Sequence, residues 1–167
     1  MPITPFHFGL GAALHGAAPK TGSFIAFSAV NVFIDCESLY NLVQRRDPVH
    51  AFFHTYLGAT LMAAALLGLF IVLRWLASRY WLPNILRWRD LKAGQVAVGA
   101  LLGAWSHVVL DSVMHSDIRP LAPFSDANAL HGALSLSDLH LLCVALAVIG
   151  LGAVGFRQRH FGKDKRR

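Results

Sequence analysis

Charge is scarce in this chain: only 14% of its 167 residues are Asp, Glu, Lys or Arg, where a soluble domain carries about a quarter. With 55% hydrophobic residues beside it, that scarcity excludes a disordered chain and the broad basic surface that a nucleic-acid partner requires. Cysteine is nearly missing too. Cys36 and Cys143 stand alone with no Cys-x-x-Cys spacing, which excludes a disulfide framework and a thiolate zinc cage. The opening residues, MPITPFHFG, lack the basic segment of a cleavable signal, so the N-terminus is expected to be retained. No internal repeat and no second domain are evident.

What is present is long apolar runs that a small soluble core does not bury. They mark a membrane protein. The clearest run opens near His54 and passes through LGATLMAAALLGLFIVL to Arg74 and Trp75, reaching the ~20 residues a bilayer needs. A second starts at about Ala93 (AGQVAVGALLGAWSHVVLDSVM) and a third at about Ser135 (LHLLCVALAVIGLGAVGF), with small residues suited to close helix contact. Upstream, FHFGLGAALHGAA and GSFIAFSAVNVFIDCESLYNLV read as two more helices joined at APKTG, where proline and glycine break the pattern. The first has about 15 residues, roughly 22 Å of helix, so it is expected to enter the bilayer without a full crossing. The expected fold is all-α: a polytopic membrane bundle of about five helices, four or five of them spanning, as a single domain over residues 1–156 followed by a basic tail at 157–167.

The 15 Lys and Arg give a net charge of +6, but they are concentrated in two places. Arg74, Arg79, Arg87, Arg89 and Lys92 occupy one loop, and six more lie in the tail from Arg157 to Arg167. Basic clusters beside spans are topology signals. Consecutive helices alternate in direction, which puts that loop, the tail and Lys20 on one side, read as cytoplasmic, with the N-terminus outside a multi-pass inner (plasma) membrane protein. The opposite end then gathers seven of nine acidic residues (Asp35, Glu37, Asp47, Asp111, Asp117, Asp126, Asp138) and seven of nine histidines (His7, His50, His54, His107, His115, His131, His140).

Several of these residues have the spacing of ligands. HVVLDSVMH places His107, Asp111 and His115 at i, i+4 and i+8, one face of a helix. Ionisable groups at membrane depth are costly and generally face a cavity or a compensating partner; the plainer alternative is a hydrogen-bonded cluster that fixes packing. NVFIDCESLYN carries Asp35 and Glu37 two apart, with Asn31 one turn earlier, which alone is equally a solvated helix end. In PVHAFFHTYLG, His54 at the mouth of a span is the stronger candidate and His50 is read as interfacial. His7, in TPFHFGLG, gains weight only from convergence with Asp35, His54, His107 and Asp111. Mixed imidazole and carboxylate ligation suits a divalent transition metal, zinc foremost, with manganese or iron as alternatives. The stretch SDIRPLAPFSDANALHGAL is expected to loop over this end as a lid. Within it, Arg119 is suited to an anionic phosphate oxygen or, alternatively, to an ion pair with Asp117 or Asp126.

From TPFHFGLG through FIDCE and HTYLG to HVVLD and PLAPF, the chain resembles the YdjM family of inner-membrane metal-dependent hydrolases, which is distantly similar to zinc-dependent phospholipase C. The resemblance implies that His7, Asp35, Glu37, His54, His107 and Asp111 form a metal site. Glu37 stands where the family usually has aspartate, which points to a proton-accepting or supporting role. His50 lies four residues before His54, not the family's five, and is not carried over; His115 and Asp117 replace a family Thr and Gly and read as extra ligands of a second metal or as a substrate feature. The expected function is metal-dependent phosphoester hydrolysis, of a phospholipid headgroup if the substrate is membrane lipid, with Glu37 or Asp35 taking the proton and Arg119 steadying charge. The zinc-protease motif His-Glu-x-x-His is absent. A rival class stays open: a non-enzymatic membrane protein, either a metal-binding transport component or an interaction subunit ordered by its polar cluster.

Overall fold

The computed structural model of the chain describes residues 5–161. Thr4, which opens TPFHFGLG, and the tail residues from Gly162 onward lie outside the described residues. The described chain is all helical: α1 (His7–Ala17), α2 (Phe24–Val43), α3 (Tyr56–Arg79), α4 (Ala93–Met114) and α5 (Leu136–Phe161), with 3-10 turns at Phe52–His54 and Ile85–Asp90. The helix α5 runs past residue 156 into the basic segment.

Three of these helices, α3, α4 and α5, are long and apolar enough to cross a membrane, fewer than the expected four or five. The reason lies in the other two. With 11 residues, α1 rises only roughly 16 Å, about half a hydrocarbon core. Its partner α2 has 20 residues, enough in length, but Asn31, Asp35, Glu37 and Asn41 dilute its apolar character. Large apolar side chains of α3 and α5, among them Leu61, Ile71, Leu141, Val148 and Phe156, point away from the bundle, the outward belt that a lipid solvent accepts and water does not.

Helix starts follow from local chemistry. The Ser23 hydroxyl accepts from the Ala26 amide at 3.2 Å to begin α2, and the Thr55 hydroxyl accepts from Gly58 at 2.9 Å to begin α3, each supplying a partner for a free first-turn amide. At α4 the Gln95 side chain reaches back to the Lys92 amide and also donates to the Lys20 carbonyl, both at 3.0 Å. That second bond ties the start of α4 to the turn between α1 and α2.

The apolar core belongs to α2, α3 and α4. Val30 and Ile34 meet Ala59, Ala63, Ala100, Ala104 and Val108 there. The helices α2 and α4 run in the same direction, since Ser23 lies against Gly99 and Phe27 against Gly103; a side chain at Gly103 would meet the Phe27 carbonyl at 2.7 Å. Antiparallel to them is α3, with Thr60 near Trp105 and Arg74 near Leu91. The short α1 packs mainly on α5, and in parallel: Gly9 abuts the Cys143 backbone and Gly16 the Gly150 backbone. Direction therefore alternates along the chain. Lys20, Arg157 and the Arg74–Lys92 loop share one end, and the polar side chains of the next section share the other.

Candidate metal centre

Three of the five helices, with the 3-10 turn ahead of α3, deliver polar side chains to that second end. Asp35 comes from the last two turns of α2, His54 from the turn before α3, His107 and Asp111 from the upper half of α4, and His7 from the first residue of α1. All five are buried.

The orientation of His107 can be derived from its neighbour. The Asn31 amide nitrogen donates to the carbonyls of Phe27 at 2.7 Å and Gly103 at 3.5 Å, which turns its oxygen toward His107 Nδ1 at 2.8 Å. Nδ1 is therefore the protonated nitrogen, and in the neutral ring Nε2 presents a lone pair. That Nε2 lies 3.3 Å from Asp35 Oδ1, 3.3 Å from Asp111 Oδ2 and 3.3 Å from His54 Nε2. His54 Nε2 is in turn 3.5 Å from Asp111 Oδ2 and 4.0 Å from Asp35 Oδ1. One donor atom from each of Asp35, His54, His107 and Asp111 falls within 4.8 Å of all the others.

Two buried carboxylates facing two imidazoles need positive charge. Among the described residues no lysine or arginine is buried, so a divalent cation or added protons on the histidines must supply it. The donor set of two nitrogens and two carboxylates fits a transition metal well. So do the atoms left over: His7 Nε2 and Asp111 Oδ1 are 3.1 Å apart yet buried without a hydrogen bond. His7 stands beside the group of four, touching Asp111 through Nε2 and His107 through Nδ1 at 3.1 Å.

Of the two parts expected for Glu37, proton acceptor or support, its contacts are those of a support. Its two oxygens accept from the amides of Phe52 at 3.1 Å and Phe53 at 2.7 Å, and Oε2 lies 3.8 Å from His54 Nδ1, behind the ring. It holds the turn that carries His54. Ser38 adds its hydroxyl at 3.4 Å from His54 Nε2.

The helical ladder His107, Asp111, His115 does not converge as a unit. From 107 to 115 a helix rises roughly 12 Å, too far for one ion, and α4 ends at Met114 with His115 turning out in an extended conformation (φ −114°, ψ 126°). His115 stacks instead on His50, with ring centroids 4.0 Å apart. His50, read from the sequence as interfacial, is buried. Its Nδ1 lies 2.9 and 3.0 Å from the two oxygens of Asp117, which also accepts from the His50 amide at 3.0 Å. Burial pushes the His50 imidazole below its ordinary value, and the Asp117 carboxylate is held below its own by the two His50 N–H bonds, which outweigh its partial burial. Sequence reasoning also passed over Asn31 as a partner of His107; the four-residue spacing of His50 and His54 and the Asn31–Asp35 turn were the available signals.

Arg119 is exposed and paired with Asp126 at 2.9 Å. Beside it runs a cleft of about 290 Å³, lined by His50, Phe52, Thr55, Asp117, Arg119 and Pro123 among others. The segment after α4 folds over this end, pinned by Asn128 donating to the carbonyls of Ser112 at 2.9 Å and His115 at 3.3 Å and by the Tyr56 amide on the Pro120 carbonyl at 2.9 Å. No protein-family model, no curated protein and no solved structure matches the chain.

Proposed function

We infer that this protein is a membrane-bound, metal-dependent hydrolase acting on a phosphoester at the non-cytoplasmic face of an inner (plasma) membrane, with a phospholipid headgroup as the substrate class. The observation that carries the reading is the buried group Asp35, His54, His107 and Asp111, set at the end of the bundle opposite the basic loop and adjoining a cleft with an arginine on its wall. The resemblance to the YdjM hydrolases supports the same reading, and the positive-inside tendency orients it.

A divalent metal, zinc foremost, supplies Lewis acidity in such a site, polarising a phosphoryl oxygen and acidifying water. The chain's own residues do the rest. Asn31 fixes the His107 tautomer, and Glu37 fixes the His54 turn. In the reaction Asp35 would hold a proton on the carboxylate oxygen left over by Oδ1, which faces both histidines. Arg119 faces the cleft with an exposed partner, Asp126, that an anionic substrate can displace at little cost.

A transport role fits less well. Among the described residues, the interface of α2 and α4 between the polar end and Gln95 is lined by Val30, Ala100, Gly103 and Ala104, an apolar seam that offers an ion no ligands.

The test uses detergent-purified protein without a polyhistidine tag. Its metal content is measured beside hydrolysis of bis(4-nitrophenyl) phosphate and of mixed phosphatidylethanolamine and phosphatidylglycerol vesicles. Metal-dependent release of a headgroup, lost with Asp111→Asn, supports the reading; turnover of the soluble diester alone moves the substrate to free phosphoesters. A metal-loaded, folded protein inert on both overturns hydrolysis of phosphoesters.

A further inference from the structure

We propose that the chain holds a second divalent-metal site, formed by His50, His115 and Asp111, next to the group of four and sharing the Asp111 carboxylate with it. This deepens the hydrolase reading by giving its site two ions, but it stands on metal binding and not on turnover.

The first support is convergence. A donor atom from each of His50, Asp111 and His115 lies within 4.8 Å of the other two, although the residues come from a loop, from α4 and from the residue just past α4. The rings of His50 and His115 stack at 4.0 Å and 30°. The second support is the state of His50. Asp117 is an acceptor, so the Nδ1 facing it carries the proton and Nε2 is left with its lone pair. A carboxylate behind a histidine is the arrangement that orients metal-ligating imidazoles and raises their basicity. Here the carboxylate comes from Asp117, 67 residues away, and its accepting the His50 amide as well fixes both ring and backbone.

The third support is Asp111 itself. A carboxylate offers two oxygens and about four lone-pair positions, enough to serve two ions. Oδ2 faces His54 and His107. Oδ1 is buried, makes no hydrogen bond and lies 3.1 Å from His7 Nε2. An aspartate 3% exposed whose two oxygens face different donor groups is suited to bridging. His50 and Asp117 also line the 290 Å³ cleft beside Arg119, so an ion on this side is the one an incoming anionic oxygen meets first.

The experiment is metal counting on untagged, detergent-purified full chain, equilibrated with zinc and passed through a desalting column. Wild type, His50→Ala/His115→Ala, Asp117→Asn and His107→Ala are compared, with size-exclusion profiles confirming that each is folded. Two ions in wild type, one in His50→Ala/His115→Ala, and a second ion weakened about 10- to 100-fold in Asp117→Asn establish the site. One ion in wild type that survives His50→Ala/His115→Ala but not His107→Ala overturns the second site and leaves the group of four intact. One ion that survives His107→Ala but not His50→Ala/His115→Ala retains the site proposed here and removes the first. No ion in wild type overturns both. Because Asp117→Asn keeps shape and volume, it decides the question even where the double alanine variant fails to fold.

Discussion

The Nδ1–H of His107 donates to the Oδ1 of Asn31 at 2.8 Å, and the amide that presents this oxygen is itself anchored to two backbone carbonyls. A neutral residue on a neighbouring helix thus decides which histidine nitrogen is free. Replacing Asn31 with Leu is expected to leave the candidate ligand atoms in place but to release the tautomer. The expected outcome is a 10- to 100-fold loss of zinc affinity, measured by competition with a chromophoric chelator, with helix content by circular dichroism unchanged.

Metal removal has a thermal signature. Whatever binds only the folded chain stabilises it by RT ln(1 + [L]/Kd), about 2.7 kcal/mol at a hundredfold excess over Kd. Zinc is therefore expected to raise the unfolding temperature of chelator-treated wild type. The rise should vanish in Asp111→Asn, because Asp111 faces His54, His107 and His7 together. An equal rise in the variant would locate the bound zinc elsewhere.

Glu37 and Arg119 are expected to separate cleanly. Glu37→Ala removes acceptors from two amides and should cost about 1.5–3 kcal/mol, the range for hydrogen bonds to a charged group, with weaker metal binding as His54 loosens. Arg119→Ala breaks only an exposed pair, worth about 0–1 kcal/mol. Its expected effect is a higher KM for an anionic substrate at unchanged metal content; an unchanged KM would confine Arg119 to pairing with Asp126.

Acid should weaken the metal-free fold at the cleft. Burial, with His54 adding repulsion, lowers His50, and burial beside His50 lowers His115 to about 4. A histidine depressed in the folded state contributes fully above its unfolded value of about 6.5 and loses that contribution as pH falls toward its folded value. Asp117, also depressed, adds its loss only below about 3.9. Stability of chelator-treated protein, followed by thermal unfolding, is thus expected to decline from about pH 6.5 downward in two stages, with the first stage missing in His50→Ala/His115→Ala.

The seam of α1 and α5 makes a packing prediction. Gly9 lies against the Cys143 backbone, where a larger residue has no flexible side chain to displace. Gly9→Val should cost at least about 1–3 kcal/mol, as overpacking does, and should lower metal retention because His7 sits two residues away on the same helix. Gly68, with nothing near a Cβ, is the control, and Gly68→Ala should be neutral or slightly stabilising.

Periodicity carried much of this to the sequence reader. The four-residue step from His107 to Asp111 and the alternation of helix direction were legible because both follow from helix geometry. A length and apolarity sufficient for crossing were legible for α3, α4 and α5; α2, expected among the spans, has the length but not the apolarity, because Asn31, Asp35 and Glu37 serve the polar end. His115 leaves the 107–111 ladder because α4 stops at Met114, and helix ends are weakly encoded: no glycine or proline marks that stop. His50 was read as merely interfacial because its partner is 67 residues away, and a long-range carboxylate leaves no local trace. The role of Glu37 depends on where two backbone amides point, which side-chain identities do not record.

The pairing of α1 with α5 fixes an order of events. Synthesis delivers the first helix more than a hundred residues before the last, yet the first is too short to hold a bilayer alone and finds its main partner only in the last. His7 therefore gains lasting support against Asp111 and His107 once α5 has joined the bundle. Until α5 docks, the wall that α1 gives the polar end has little to lean on, so the cluster is finished by a contact between two helices far apart in the chain.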